Sequence, residues 1–255
     1  MNSKITVETI RAMKSRGEKI AALTAYDFPM TKLLDEAGIP MILVGDSLGM
    51  VVMGYPDTTH VTVTEMEHHV RAAARAKPNA LFGADMPYRS YETPAEAVKN
   101  ATRLVSAGAE FVKAEGGRKI IEQVRAIRSA GIPFCGHLGM LPQHVIEEGG
   151  YHVKGKKDTD VQDLFEDARA LADAGVFAIV LELITTPVAK ELTRAIPVPT
   201  LGIGSGQDCD GQILVSYDLV GMFPWFTPRF VKPRLNCGAQ IKDAVTAWKN
   251  SLATL

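Results

Sequence analysis

The feature that most constrains this chain is a repeated alternation of short, nearly continuous apolar runs with longer amphipathic stretches. The runs at 20–27 (IAALTAYD), 41–47 (MILVGDS), 80–87 (ALFGADMP), 111–117 (FVKAEGG), 133–139 (PFCGHLG), 178–183 (AIVLEL) and 199–206 (PTLGIGSG) have the character of buried strands. Between them, residues 29–38, 62–77, 93–108, 118–131, 161–175 and 186–196 carry helical periodicity. Thr64 with Glu67 fits a capping box, and Thr93, Pro94 and Gly108 mark the start and stop of the following helix. Strands apolar on both faces and separated by helices imply a parallel sheet covered on both sides.

Seven such units, with a further strand expected over 211–221, predict an α/β fold, a (β/α)8 TIM barrel. A doubly wound open sheet is the competing architecture. Only four residues separate 206 from 211, too few for a crossover helix, so either strand eight begins later or the assignment there fails. The N-terminus reads as an amphipathic helix with Ile5, Ile10 and Met13 on one side and Gly17 as its stop; residues 238–253 read as a closing helix, and 140–160 as a long loop of mixed charge. No linker divides the chain, so residues 1–255 are expected to form one barrel domain with an N-terminal helix, at about the length of a single such barrel.

Composition removes several classes of function. The 28 basic and 29 acidic residues leave a net charge of -1, which provides no basic footprint for nucleic acid or for anionic lipid. No run approaches the ~18 apolar residues of a membrane span, and the N-terminus lacks the apolar core of a secretory signal. Cys135, Cys209 and Cys237 stand apart with no C-x-x-C spacing, which argues against a disulfide framework or a thiolate zinc site. A cytoplasmic enzyme is the expectation.

The chemistry collects where the apolar runs end. The first ends in Asp27, the second in Asp46 and Ser47, and the third in Asp85; the fourth carries Lys113 and Glu115, the fifth His137 and the sixth Glu182. In a parallel barrel these ends open on one face, where active sites are built. Any single acidic residue there could instead cap the next helix. Carboxylates gathered together need a cation between them; Lys113 is one candidate and a divalent metal the other. Asp46, Asp85 and Glu115 are hard oxygen donors that suit Mg2+ better than Zn2+, and Mg2+ leaves positions for the carboxylate and keto oxygens of an α-keto acid. Glu182 lies among aliphatic residues, where desolvation would make it a general base, unless it pairs with a basic neighbour. His137 could donate to a substrate oxygen or serve as a structural histidine.

Other features read as weaker. GIGSG at 202–206 lacks the full G-x-G-x-x-G of a dinucleotide loop. His68 and His69 are adjacent on a helix without metal-ligand spacing. Phe223, Trp225, Phe226 and Phe230 form an aromatic cluster suited to packing or a subunit contact more than to covering a cofactor.

TAYD (24–27), VGDSLGM (44–50), ADMP (84–87), VKAEGG (112–117), CGHLGMLPQ (135–143), GGY (149–151), LE (181–182) and GIGSG with CDGQILV (202–215) follow in order. Together they resemble the 3-methyl-2-oxobutanoate (ketopantoate) hydroxymethyltransferase family, over about residues 5 to 235. The resemblance implies a barrel of the phosphoenolpyruvate/pyruvate type, a bound Mg2+, and 5,10-methylenetetrahydrofolate as one-carbon co-substrate, in the pathway to pantothenate and coenzyme A. Carried over, it places Mg2+ at Asp46, Asp85 and Glu115, substrate contacts at Asp46, Ser47, Asp85 and Lys113, and the proton acceptor at Glu182. It also implies a homo-oligomer, with a decamer among the states it admits, for which the N-terminal helix and the Trp225 region offer apolar surface. Departures from the family pattern fall at His60, in the residues that follow Glu182 in VLELIT and in MFPWFTPRF, and leave the proposed metal and base residues themselves unchanged. The competing readings are another enolate-forming lyase or mutase of the same barrel superfamily, and a keto-acid or pterin binding protein without catalysis.

Overall fold

A computed structural model describes residues 3–252. Eight parallel strands close a barrel in sequence order: β1 (Ile20–Thr24), β2 (Met41–Val44), β3 (Leu81–Asp85), β4 (Phe111–Lys113), β5 (Phe134–Gly139), β6 (Ala178–Glu182), β7 (Thr200–Ile203) and β8 (Gly211–Leu214). The helices are α1 (Val7–Ser15), α2 (Phe28–Glu36), α3 (Leu48–Val51), α4 (Val63–Ala74), α5 (Pro94–Ser106), α6 (Ile121–Ser129), α7 (Asp158–Asp173), α8 (Thr186–Ala195), α9 (Ser216–Val220) and α10 (Cys237–Leu252). The closed barrel confirms the expected architecture and rules out the open doubly wound sheet. The chain divides into two compact units, one through Ile213 and one from Leu214 on.

In the first unit the strand period of two sends alternate side chains inward. Leu43, Leu81, Phe111, Cys135, Val180 and Leu201 belong to one buried cluster, with the Phe111 and Phe177 rings edge to face at 5.0 Å. Phe111 fits because Gly83 lies opposite it in register; a Cβ there would come within 2.3 Å of the ring. One strand step further on, the same inward face carries Asp85, Lys113, His137 and Glu182, so the polar site stands on top of the apolar core.

The other end is plugged by α1. Ile10 is fully buried in the barrel cluster and Ile5 and Met13 pack against it, so the apolar face of the N-terminal helix is used within the chain and is not surface for a subunit contact. Lys14 fixes the helix there by donating to the Thr193 and Val198 carbonyls and to Asp210 Oδ2.

Two local expectations are corrected. The capping box of α4 is Thr62 with Glu65, not Thr64 with Glu67. Both spacings fit the motif, but the helical stripe through Met66, Val70 and Ala73 starts at Val63, so the cap falls just before it; Glu67 and Thr64 instead accept from Arg103. The run 211–221 is not one strand: β8 ends at Leu214 and α9 begins at Ser216. No helix joins β7 to β8. Seven extended residues reach ~23 Å, and a four-residue strand rises only ~13 Å, so the loop 204–210 returns the chain unaided. Gly204 and Gly206 turn it at positive φ, and Ser205 ties it down, accepting from the Ile184 amide and donating to the Leu181 carbonyl. GIGSG is therefore a turn pinned to the end of β6.

In the second unit, α10 is exposed along nearly its whole described length, and Trp225 and Phe226 are also exposed. No helix of the described residues is long and apolar enough to cross a membrane.

Candidate active site

Asp85 and Lys113 are direct cross-strand partners in the β3–β4 register, which sets Lys113 Nζ 2.9 Å from Asp85 Oδ1. The contact is an ion pair that falls short of hydrogen-bond alignment, so Asp85 Oδ1 is buried without a hydrogen-bond donor. Asp85 Oδ2 accepts from the Asp46 amide at 3.1 Å, holding the turn after β2 against the end of β3. At Gly45 a Cβ would come within 2.9 Å of Ser47 Oγ, whereas its 3.6 Å to Asp85 Oδ2 would be an ordinary contact.

Lys113 also faces β5, with Nζ 3.3 Å from His137 Nδ1. An ammonium can only donate, so Nδ1 accepts. Burial and the Lys113 charge hold the His137 imidazole well below its usual pKa, and the neutral ring carries its proton on Nε2. That buried N–H has no aligned acceptor, although Glu182 Oε2 lies 3.2 Å away. On the Nδ1 side, Glu115 Oε1 stands at 3.5 Å.

Asp46, Asp85, Glu115 and Glu182 thus share a buried space with one ammonium. Burial, then the Asp85 charge, pushes Asp46 up to about 7. Burial and Asp46 raise Glu115 well above the carboxylate range. Burial lifts Glu182 to about 8, with Asp46 and Asp85 adding to it and Lys113 opposing. Burial also works against the Lys113 ammonium, but Asp85, Glu115 and Asp46 outweigh it and the pKa rises. The cluster is short of positive charge.

A family model described as ketopantoate hydroxymethyltransferase matches residues 4–254. The chain belongs to the ketopantoate hydroxymethyltransferase family. A 3-methyl-2-oxobutanoate hydroxymethyltransferase of Ignicoccus hospitalis is 52% identical over 243 residues, covering 95% of this chain and 92% of that protein. Its counterpart in Moorella thermoacetica is 49% identical over 252 residues, covering 98% and 94%. Among solved structures, the phosphoenolpyruvate phosphomutase of Streptomyces platensis subsp. rosaceus shares the fold at a TM-score of 0.66 and 14% identity, covering 97% of this chain and 88% of that one. The chain thus shares its barrel fold with that phosphomutase, and it is a member of a transferase family.

Within this hydroxymethyltransferase barrel, the carboxylates expected from the sequence separate into two kinds. Asp27 is a helix cap, accepting from the Met30 amide at 2.8 Å. Asp46, Asp85, Lys113, Glu115, His137 and Glu182 come together; Ser47 stands at their edge, 2.9 Å from the Tyr26 hydroxyl. Among the described residues no three His, Cys, Asp or Glu side chains enclose a metal position by themselves. Mg2+ needs only one or two carboxylates beside water and substrate. The donor-free Oδ1 of Asp85, the hard oxygen set and the deficit of positive charge fit such an ion. His69, by contrast, bonds the Tyr26 carbonyl at 2.7 Å and is structural.

Sequence reasoning did not assign Gln143 or Tyr91, both buried beneath the carboxylates. The signal for Gln143 was its place at the end of CGHLGMLPQ; Tyr91 lies outside every such motif.

Proposed function

We propose that the chain transfers a hydroxymethyl group from 5,10-methylenetetrahydrofolate to 3-methyl-2-oxobutanoate, giving 2-dehydropantoate and tetrahydrofolate with uptake of one water. The observation that carries this reading is Glu182, a base raised to about 8 by burial, on the same barrel mouth as a positively charged Lys113 and the Asp46–Asp85 pair.

Asp46, Asp85 and Glu115 would hold Mg2+. When bound, Mg2+ supplies positive charge next to the keto acid's oxygens and favours ionisation of the adjacent C–H bond. Glu182 takes the proton from C3, and its carboxylate is basic enough for this because water is largely excluded from around it. Lys113 places its ammonium where negative charge develops on the substrate. The unpartnered His137 Nε2–H donates to a substrate oxygen beside Glu182. Water adds to the folate methylene and both of its C–N bonds break, giving tetrahydrofolate and a one-carbon unit at the formaldehyde level; the carbon nucleophile left by the proton transfer attacks that carbon, and its oxygen takes up a proton to become the hydroxyl of the product. Ser47 contributes a contact at the rim. The working particle is a homo-oligomer in the cytoplasm.

The test is turnover of 3-methyl-2-oxobutanoate with methylenetetrahydrofolate and Mg2+, read as 2-dehydropantoate by mass spectrometry. Strict dependence on the folate donor is expected. Product formation by cleavage or rearrangement of the keto acid without folate would instead identify a lyase or mutase.

A further inference from the structure

Gln143 sits in the helical turn Pro142–His144 just after β5, and it is 2% exposed. Its amide has no free orientation. The Met86 carbonyl can only accept, so Nε2 must face it, at 2.9 Å. The second Nε2 proton goes to Asp46 Oδ2 at 2.8 Å. Oε1 accepts from the Tyr91 hydroxyl at 2.6 Å. The Gln143 main-chain amide donates to Glu115 Oε2 at 3.0 Å. One residue thus grips two of the carboxylates, which come from different strand ends, and Tyr91 prevents its amide from turning over.

We propose that Gln143, locked by Tyr91, is a positioning residue that aims the Asp46 and Glu115 carboxylates at the divalent cation. This rests on the reading that these carboxylates hold the cation. Each carboxylate has one oxygen engaged by Gln143, Oδ2 of Asp46 and Oε2 of Glu115, which fixes its rotation and leaves the other oxygen for the metal. Partners of this kind beyond the ligands are typically worth 10–100-fold in metal affinity. Glutamine suits the place because it donates without adding charge. A glutamate there would bring a further carboxylate against Asp46, and a leucine would fill the volume and leave Asp46 Oδ2 and the Met86 carbonyl without their donor.

The test is titration of the metal-free protein with Mn2+, without keto acid or folate, followed by electron paramagnetic resonance of free and bound ion. Wild type, Asp46→Asn, Gln143→Leu and Tyr91→Phe are compared, with circular dichroism reporting folding. The expected result is loss of tight binding in Asp46→Asn, Kd raised about 10–100-fold in Gln143→Leu, and a smaller rise with a broadened bound-ion spectrum in Tyr91→Phe. Tyr91→Phe removes only a hydroxyl, so it gives a reading even where Gln143→Leu fails to fold. If wild type binds Mn2+ and Asp46→Asn does not, but both other variants match wild type in Kd and spectrum, the inference falls and the metal site stands. If wild type binds none, or Asp46→Asn binds as wild type does, both fall.

Discussion

Glu182 Oε2 lies 3.2 Å from His137 Nε2, across the β5–β6 pairing that sets His137 beside Val180 and Gly139 beside Glu182. Gly139 makes the approach possible: at φ 98°, a Cβ would lie 2.1 Å from the Glu182 carbonyl oxygen. The next residue, Met140, then donates its amide to that carbonyl at 2.8 Å. The main chain of Glu182 is thereby fixed while its side chain faces the pocket. Glu182→Gln keeps this shape and removes the base. It is expected to lower kcat by roughly 10²–10⁴, the usual worth of general base catalysis, with a smaller effect on keto acid binding. Deuterium exchange at C3 of the keto acid isolates the step because it needs no folate. Exchange at the wild-type rate in Glu182→Gln would remove Glu182 from that role.

Asp85 serves two neighbours, the Lys113 ammonium and the Asp46 amide. Chelation with EDTA should abolish turnover and Mg2+ should restore it. Asp85→Asn loses the charge that both Lys113 and a divalent ion require, and is expected to weaken Mg2+ by at least about 10-fold, given what even outer partners of metal sites contribute. Calorimetric titration with Mg2+ measures this. Full activity of a rigorously metal-free preparation would exclude the metal role.

On α10, Ile241, Val245, Trp248 and Leu252 are exposed by 45%, 56%, 65% and 48%, and their spacing places them on one helical face. An apolar stripe of this kind is costly in water. Light scattering is expected to give a particle well above the 27.6 kDa of the chain, and Val245→Glu with Trp248→Glu is expected to shrink it. A monodisperse 27.6 kDa species at micromolar concentration would contradict the oligomer.

The barrel was legible because its strands are apolar on both faces, as the buried runs Met41–Val44 and Ala178–Leu181 show. The ends of elements were harder to read. Thr62 and Thr64 both fit a cap, and only the phase of the packed stripe chooses between them. The β7–β8 link escaped because crossover helices are a rule of average geometry, whereas a four-residue strand can be spanned by a short glycine-bearing loop. The charged site residues were visible as strand ends, Asp27 being the one that merely caps a helix. Gln143 was not, since a neutral amide in a loop acquires its meaning only from what it touches.

The raised carboxyls make stability depend on pH in a direction opposite to that of ordinary surface ion pairs. Glu182 is raised from 4.5 to about 8 and Asp46 from 3.8 to about 7, both mainly by burial. Across the window between unfolded and folded values, the folded chain holds protons that the unfolded chain has released, so folding stability falls as pH rises. His137 works the other way: its pKa is depressed from 6.5, so the unfolded chain binds the proton and stability rises with pH until about 6.5 is passed. Lys113 is raised, and its contribution is fully present throughout this range. Between pH 6.5 and 8 the carboxyls therefore dominate, and the metal-free protein is expected to lose thermal stability over that interval. Mg2+ binds the ionised forms, so the rise in Tm on adding Mg2+ should be larger at pH 8 than at pH 6.5. Differential scanning calorimetry with and without Mg2+ at the two pH values measures both effects. The Glu182→Gln variant should show a flatter decline, because one of the carboxyls raised by burial is gone. A metal-free Tm that climbs from pH 6.5 to 8 would mean that Glu182 and Asp46 already ionise below that range.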